Sequence, residues 1–268
     1  MTVHNIRESV RRQSPLIHCI TNPISIQQCA NTVLAVGARP IMAEHPKEVR
    51  EITETAAALL LNLGNITDVR MEAMLISAGT AKSRGIPIIL DAVGIACSDL
   101  RRTFAGKLTG LAMPAVIKGN YSEINALDQQ SYRSSGVDAD GSLDRGGLSS
   151  AAVRLARRYH TVILASGKED IITDGQRLVY VKNGVRQLSA VTGTGCMLGA
   201  LCAAYLSVQH DWQAAAIACA MLGICGQLAE TPKGNGSFLV NLFDALSTVE
   251  DREIEALLDM EEIILENI

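Results

Sequence analysis

Short apolar runs that alternate with longer amphipathic segments constrain the fold of this 268-residue chain more than any other feature. Each run has the length of a buried strand and is bounded by turn residues, and the segments between the runs have helical periodicity. This order is typical of βα units that build a mostly parallel sheet with helices on both faces. The predicted strands are 15–20, 58–63, 86–90, 115–118 and 161–166, and the predicted helices between them include 24–37, 68–85 and 149–160.

The second half of the chain departs from this alternation. Two long apolar segments, 196–209 and 212–230, predict a pair of buried helices, and Asp211 is placed to cap the second. The segment 171–181 predicts an antiparallel hairpin with an Asp-Gly turn that joins the same sheet. Segment 128–147 is polar and rich in glycine and serine, so it forms either an excursion or a lid.

The composition favours one large domain and excludes several classes of protein. Hydrophobic residues make up 48% of the chain, enough for a sizeable core, and no repeat or linker divides it, so we expect a single α/β domain over residues 1–268. A formal net charge of -4 provides no basic field for nucleic acid. The first twenty residues do not resemble a signal peptide, and no stretch approaches the roughly 18 uninterrupted apolar residues of a membrane span. Seven cysteines, an odd number without a Cys-x-x-Cys pair, disfavour disulfides and structural zinc, so we expect a soluble cytoplasmic protein.

Polar side chains follow every predicted strand. In an open parallel sheet, ligands bind beyond the carboxyl ends of the strands. The five predicted strands therefore direct amide, carboxylate, ammonium and hydroxyl groups to one edge of the sheet. The strand-end residues are Thr21, Asn22, Asn62, Gly64, Asp91, Lys118, Gly119, Asn120, Ser166, Gly167 and Lys168.

Two acidic residues at this edge indicate a metal site. Asp91 follows a strand directly, so its carboxylate is expected to emerge at the sheet edge rather than inside the core. Glu123 lies three residues after Asn120, in the first turn of the next predicted helix. Two neighbouring carboxylates are the oxygen ligands that Mg2+ prefers. The alternative is structural: Asp91 caps a turn, and Glu123 completes a capping box with Asn120 at the N-cap.

The segment 191–196, VTGTGC, stands directly before the first long apolar segment. Gly193 and Gly195 allow a sharp turn and a close approach of the backbone to a ligand, and the amides that open the next helix lack partners. An anion, above all a phosphate, fits at such a helix N-terminus. A tight strand-to-helix turn is an alternative explanation of the glycines. The segment matches neither a Walker A loop nor a Rossmann fingerprint.

Nine sequence blocks, spread over nearly the whole chain, resemble the hydroxyethylthiazole kinase family of the ribokinase-like fold. The Ile-Thr-Asn segment and the cysteine after Thr-Gly-Thr-Gly match this family better than the neighbouring pyrimidine or pyridoxal kinases. The resemblance implies a three-layer α/β fold. The blocks are SPLIHCITN (14–22), ANTVLAVGARPIMA (30–43), ALLLNLGNI (58–66), PIILDAVG (87–94), AVIKGNYSEI (115–124), GVDA (136–139), TDG (173–175), VTGTGC (191–196) and GNGSF (234–238).

The resemblance implies transfer of the ATP γ-phosphoryl group to the primary alcohol of 4-methyl-5-(2-hydroxyethyl)thiazole, a step of thiamin salvage. It also implies that Asp91 and Glu123 organise Mg2+, and that the protein is a homotrimer with sites at subunit junctions. Cys196 takes the place that an aspartate base occupies in many ribokinase-like enzymes. The other implied contacts are Asn22, Met42 and Gly193 for the thiazole, and Lys118, Asn120, Ser166, Thr194 and Gly195 for ATP.

Cys196 is the predicted catalytic residue, and two roles are open to it. In a loose phosphoryl-transfer transition state, positioning and electrostatic stabilisation outweigh proton abstraction, so a modest base suffices. A helix N-terminus is expected to lower the pKa of the thiol, which favours a base. The alternative is that the side chain only shapes the pocket around the alcohol.

Three positions depart from the family pattern. Lys118 replaces the usual arginine and keeps its charge but not its bidentate fork. Ala92 replaces a proline and is expected to loosen the loop after Asp91, and Ser166 replaces a threonine but keeps a hydroxyl. The rival interpretations are a pyrimidine or pyridoxal kinase, an ATP-dependent dehydratase of the same superfamily, and a binding protein without catalysis.

Overall fold

The computed structural model describes residues 3–129 and 145–265, and within them one nine-stranded sheet forms the centre of the molecule. The strands are β1 Leu16–Ile20, β2 Arg39–Ile41, β3 Ala58–Asn62, β4 Ile88–Asp91, β5 Val116–Asn120, β6 Val162–Ser166, β7 Asp170–Thr173, β8 Arg177–Val181 and β9 Met260–Ile264. They lie in the order β2-β1-β3-β4-β5-β6-β7-β8-β9. Neighbouring strands from β2 to β6 are parallel, and β7, β8 and β9 are added antiparallel.

Twelve helices occur in the same described residues, and most of them connect consecutive strands. They are α1 Val3–Gln13, α2 Ile26–Ala35, α3 Val49–Thr55, α4 Asp68–Arg84, α5 Asp99–Ala112, α6 Tyr121–Asp128, α7 Arg145–Tyr159, α8 Arg186–Ser189, α9 Thr194–Leu206, α10 Trp212–Ala229, α11 Asn235–Thr248 and α12 Asp251–Leu257.

The sheet is covered on both faces, as β3 shows. All five residues of β3 are buried. Ala58 and Leu60 belong to the apolar cluster that contains α9 and α10, whereas Leu59 and Leu61 belong to the cluster that contains α4 and α7. Successive side chains of a strand point to opposite faces, so these two clusters are two separate helical layers. The predicted three-layer α/β architecture is confirmed.

The five predicted strands and the hairpin are confirmed, with boundaries that differ by at most two residues. The sequence did not indicate β2 or β9. β2 has only three residues, none of them fully buried, and all five residues of β9 are exposed. Neither strand therefore carries the buried periodic pattern by which a strand is recognised.

The predicted pair of apolar helices is confirmed as α9 and α10. Asp211 caps α10 through a hydrogen bond from Gln213 N to Asp211 Oδ1 at 2.8 Å. With 18 residues and a mean hydropathy of 1.4, α10 is long and apolar enough to cross a membrane, although Gln213 and Gln227 interrupt its apolar residues. However, 83% of this helix is buried inside the molecule, against α9 and α11 among others. It is therefore a core helix of the fold.

Part of the predicted polar excursion, 128–147, lies outside the described residues. Residues 130–144, which include the block 136–139, belong to this part. α7 begins at Arg145, four residues before the predicted start of that helix. The end of the predicted excursion is therefore helical.

Candidate active site

The carboxyl ends of three neighbouring strands bring Asn62, Asp91 and Lys118 side by side. Asn62 ends β3, Asp91 ends β4, and Lys118 lies in β5. The register pairs Asn62 with Asp91 and Asp91 with Lys118. Because these strands are parallel, the three side chains reach the same edge of the sheet. The predicted row of polar groups is therefore present, although all three residues are buried.

Asp91 is the centre of this group. Its Oδ1 accepts a hydrogen bond from Lys118 Nζ at 2.9 Å, and its Oδ2 accepts one from Asn62 Nδ2 at 2.7 Å. The expectation that this carboxylate emerges outside the core is wrong, since Asp91 is 0% exposed. A Cβ at Gly199 of α9 would lie 3.3 Å from Asp91 Oδ2, so α9 covers the carboxylate closely. Burial raises the pKa of Asp91, and the Lys118 ammonium opposes that rise.

Lys118 places a cation beneath the first turn of α9. Its Nζ lies 4.0 Å from the position that a Cβ at Gly195 would take. Burial lowers the pKa of Lys118, but the charges of Asp91 and Glu123 outweigh it, so the pKa stays above its ordinary value. Lys118 is therefore an ammonium ion, held close to the helix N-terminus.

Of the two glycines, only Gly193 has the backbone conformation that makes the turn before α9. Gly193 is the N-cap of α9 and has a φ of +96°, in the left-handed region that favours glycine. A Cβ there would lie 2.8 Å from Gln28 Oε1 and 3.0 Å from Ser25 Cβ. Gly195 lies within the helix and has no positive φ, so the prediction that both glycines make the turn is right only for Gly193. No side chain of the described residues caps this helix, so its first amides are open to an anion.

The hydroxyl of Thr194 is used inside the protein. It donates to the Leu188 carbonyl at 2.7 Å, which ties the start of α9 to α8. The backbone amide of Thr194 is still available to contact ATP, because it lies in the uncapped first turn of α9.

Cys196 lies at the inner side of the same turn, where Asn62 Nδ2 donates to its Sγ at 3.4 Å. Burial raises the pKa of the Cys196 thiol, and the charge of Asp91 adds to the rise. The expectation that the helix N-terminus lowers this pKa is wrong, because desolvation and a neighbouring carboxylate both disfavour a thiolate. The direction of this shift favours the protonated thiol of Cys196 near neutral pH.

Glu123 forms the capping box that was one of its two predicted roles. Asn120 Oδ1 accepts from Glu123 N at 2.9 Å, and Glu123 Oε2 accepts from Asn120 N at 2.7 Å. Its other oxygen, Oε1, accepts from Gly94 N at 2.7 Å, which connects α6 to the loop after Asp91. Burial raises the pKa of Glu123 to about 7, against the effect of these two amide donors.

Two of the predicted ATP contacts lie together at the ends of β5 and β6. Asn120 is paired with Ser166 in the register of these strands. The Ser166 hydroxyl donates to the Gly119 carbonyl at 3.4 Å and is only partly buried. The side-chain oxygen of Asn120 is already used in the capping box, so Ser166 is the more available of the two.

The predicted thiazole contacts follow β1 and β2. A Cβ at Gly64 would lie 2.8 Å from Asn22 Nδ2 and 2.9 Å from Asn62 Oδ1, so Asn22 is adjacent to the buried polar group. Met42 directly follows β2 and packs against the apolar cluster beneath α9. Since β1 and β2 are parallel neighbours, both residues lie at the same edge of the sheet as Asn62.

The loop after Asp91 is held by hydrogen bonds, one of them made by the Ala92 amide. Ala92 N donates to the Lys118 carbonyl at 2.7 Å, a bond that a proline has no hydrogen to make. The loop carbonyls of Val93 and Ile95 accept from Arg101 and Arg102 at the start of α5. The amide that alanine provides therefore extends the β4–β5 pairing, which opposes the expected loosening.

Sequence reasoning missed two contributors to this site. Asn62 was recognised as a strand-end residue, but nothing in its spacing indicated that it would bridge Asp91 and Cys196. Gln28 gave no signal at all, yet its Nε2 donates to the Thr192 carbonyl at 3.0 Å and holds the turn before α9. Both contacts join segments that are distant in the sequence.

All seven cysteines are free in this structure, and only Cys97 is exposed. No cluster of three or more histidine, cysteine or acidic side chains capable of holding a metal occurs in residues 3–129 and 145–265.

Three comparisons with known proteins point to the same family. The model of the hydroxyethylthiazole kinase family matches residues 7–252. Hydroxyethylthiazole kinase 2 of Clostridium botulinum is 44% identical over 252 residues, which cover 92% of this chain and 95% of that protein. The solved structure of a hydroxyethylthiazole kinase protein from Pyrococcus horikoshii superposes with a TM-score of 0.89 at 31% identity, covering 97% of this chain and 98% of the other.

A more distant structure shares the fold alone. Pyridoxal kinase of Bacillus subtilis, solved as an ADP complex, gives a TM-score of 0.60 at 15% identity, covering 82% of this chain and 93% of the other. The family match, in contrast, extends over most of the chain. The chain belongs to the hydroxyethylthiazole kinase family, which has the ribokinase-like fold.

Proposed function

We propose that this protein transfers the γ-phosphoryl group of ATP to the primary alcohol of 4-methyl-5-(2-hydroxyethyl)thiazole and releases the thiazole phosphate and ADP in thiamin salvage. Family membership supports the substrate. The observation that carries the proposal is a continuous line of contacts, Lys118–Asp91–Asn62–Cys196, beneath the uncapped N-terminus of α9. A cation, an acid and a thiol thus lie around one anion-binding helix end, where phosphoryl transfer needs them.

The positive groups of this site suit a phosphate that gains charge in the transition state. The open amides of α9 and the Lys118 ammonium approach the same point from two sides. Fixed donors of this kind need little reorganisation during the reaction, so they stabilise developing charge efficiently. Gly195 favours this role, because a side chain there would stand between Lys118 and the helix end. Ser166 and Asn120 contact the nucleotide from the adjoining strand ends.

Asp91 and Glu123 are the proposed Mg2+ residues, and their chemistry fits that ion. Their carboxylates are oxygen ligands, and each oxygen keeps a lone pair beyond the hydrogen bond that it accepts. Mg2+ is commonly held by one or two carboxylates together with substrate phosphates and water, and Asp91 and Glu123 would supply these carboxylates. The ion would neutralise phosphate charge.

Cys196 faces the alcohol, and its protonated state favours a pocket-shaping role over that of a base. A thiol whose pKa is raised by burial holds its proton near neutral pH. Contacts with Asn22, Met42 and Gly193 then position the hydroxyl group of the thiazole substrate. Removal of the proton from this hydroxyl during a loose phosphoryl transfer requires only a weak acceptor.

The homotrimer with sites at subunit junctions is also a proposal. Ile24, just before α2, and Leu34, in α2, are 65% and 55% exposed, and Val240 of α11 is 60% exposed. Ile24 is two residues from Asn22, so an interface there would adjoin the thiazole site. Leu34→Glu is expected to convert the trimer to monomer in light scattering. If the wild-type and Leu34→Glu proteins both have three times the mass of the chain, the interface lies elsewhere.

One assay tests the main proposal: Mg-ATP-dependent ADP release with hydroxyethylthiazole, pyridoxal or a hydroxymethylpyrimidine as the alcohol. We expect turnover with the thiazole and little with the others. Phosphorylation of pyridoxal but not of the thiazole would reject the proposed substrate. Calorimetric binding of the thiazole without turnover would indicate a binding protein. The single domain over 1–268 and the cytoplasmic location belong to the same proposal and are tested separately, by proteolysis and by cell fractionation.

A further inference from the structure

The side chain of Asn62 is completely buried and makes three hydrogen bonds. Its Oδ1 accepts from Gly64 N at 2.8 Å, and its Nδ2 donates to Asp91 Oδ2 at 2.7 Å and to Cys196 Sγ at 3.4 Å. The backbone amide of Gly64 is a donor, so the atom that it contacts must be the amide oxygen. This fixes the orientation of the side chain and directs both amide hydrogens to Asp91 and Cys196.

These contacts give Asn62 a place between two parts of the site. Asp91 is paired with Lys118 on the side of the phosphate, and Cys196 lies on the side of the alcohol. A planar amide whose oxygen is held by Gly64 cannot move toward one partner without leaving the other. Because Asn62 donates to the sulfur, the Cys196 thiol hydrogen must point away from Asn62.

We propose that Asn62 is a positioning residue that fixes the Asp91 carboxylate and the Cys196 sulfur relative to each other during phosphoryl transfer. This inference rests on the proposed function. It predicts that loss of the amide affects the rate of transfer more than the binding of either substrate, since displacement of reacting groups by about 1 Å typically costs on the order of 100-fold in rate.

A second buried asparagine provides a matched control. Asn183 Nδ2 donates to the Leu257 carbonyl at 2.8 Å and to Gln227 Oε1 at 3.0 Å, and its Oδ1 accepts from Asp259 N at 2.9 Å. It is 7% exposed and joins the end of β8 to α10 and to the segment after α12. Asn62 and Asn183 therefore have the same number of donated and accepted bonds, but only Asn62 contacts the candidate site.

The test compares Asn62→Leu with Asn183→Leu, and uses Asn62→Asp and Asn183→Asp if a leucine variant does not fold. We expect Asn62→Leu to lower kcat about 100-fold, with KM for ATP and for the thiazole within about 3-fold. Both leucine variants are expected to lower Tm by similar amounts, because each removes three hydrogen bonds. Asn183→Leu, however, is expected to keep kcat within about 2-fold of wild type. A kcat for Asn62→Leu within about 3-fold of wild type, or a loss explained by KM alone, would overturn the inference.

A double-mutant cycle with Cys196→Ala tests whether Asn62 acts through its neighbour. We expect Asn62→Leu to cost at least about 5-fold less in kcat when Cys196 is already alanine, because one of its partners is gone. Fully additive effects on kcat would contradict the role. If the wild-type protein phosphorylates another alcohol instead of the thiazole, the proposed substrate fails, and the same series is measured with that alcohol. A wild-type protein without kinase activity overturns both proposals.

Discussion

The parallel and antiparallel parts of the central sheet use polar residues in opposite ways. In the parallel part, Asn62, Asp91 and Lys118 are buried side by side at strand ends. In the antiparallel part, several charged residues are at least partly exposed and pair with one another, as Lys182 Nζ does with Glu261 Oε2 at 3.0 Å. Parallel strands all end at one edge, whereas antiparallel strands divide their ends between two edges. Only the parallel part can gather polar groups at one point.

This difference indicates that the polar groups buried in the parallel part of the sheet reduce the stability of the protein. Burying a charged pair carries a desolvation penalty that often exceeds the attraction within the pair, whereas an exposed pair carries little penalty and contributes little. A buried Asp91–Lys118 pair is therefore poorly explained by stability alone. It is explained by chemistry that needs a cation and an acid held without water.

The largest expected effect is that of Asp91→Asn. This change removes the charge that balances Lys118 and one of the two proposed Mg2+ ligands, so kcat is expected to fall by about 1,000-fold, toward the upper end for a lost electrostatic contact. The free energy of unfolding should fall by about 3 kcal/mol, because Lys118 is left buried without its partner. ADP release and urea unfolding measure the two effects. Activity near wild type would remove Asp91 from the site.

A smaller effect concerns the pH dependence of the Mg-free protein. Burial raises the pKa of Glu123 to about 7 in the folded state, above the ordinary value of 4.5. Between these values the folded state binds the proton more tightly, so the free energy of unfolding should decrease as pH rises from about 4.5 to 7, by at most about 3 kcal/mol. Glu123→Gln should flatten this slope in urea unfolding with EDTA. The same slope in both proteins would assign it to other groups.

Ala92→Pro tests the hydrogen bond that joins the loop after Asp91 to β5. Proline removes the amide hydrogen that Ala92 donates to the Lys118 carbonyl, so the free energy of unfolding should fall by about 1–3 kcal/mol. KM for ATP is expected to rise, because Lys118 is displaced. Ala92→Gly keeps the amide and serves as the control. Equal stability of the proline and alanine proteins would show that this bond contributes nothing.

The smallest effect is expected in the antiparallel part, for Glu261→Gln. Lys182 lowers the pKa of Glu261, but both side chains are largely solvated, so the loss of this pair should leave Tm and kcat near wild type. Thermal unfolding and ADP release check this expectation. A substantial loss of kcat would break the division between a chemical and a structural half of the sheet.

The fold was largely predictable, and the candidate site was predictable as a set of strand ends. Asp91 and Lys118 directly follow or end apolar runs, so local pattern was sufficient to place them at one edge. The capping box of Glu123 was also readable, because it depends on a spacing of three residues. In contrast, the pKa of Cys196 was predicted in the wrong direction. The helix N-terminus is a local feature, whereas the desolvation that dominates comes from neighbours distant in the sequence.

The sequence by itself determined the α/β alternation, the location of the polar residues at strand ends, and the glycine turn at Gly193, because each depends on residues close together along the chain. Only the tertiary structure decided that Asn62 joins Asp91 to Cys196, that α9 buries the acid, and that the Ala92 amide finds a carbonyl. Those contacts depend on which strands become neighbours and how closely a helix packs over them. No local pattern encodes that packing.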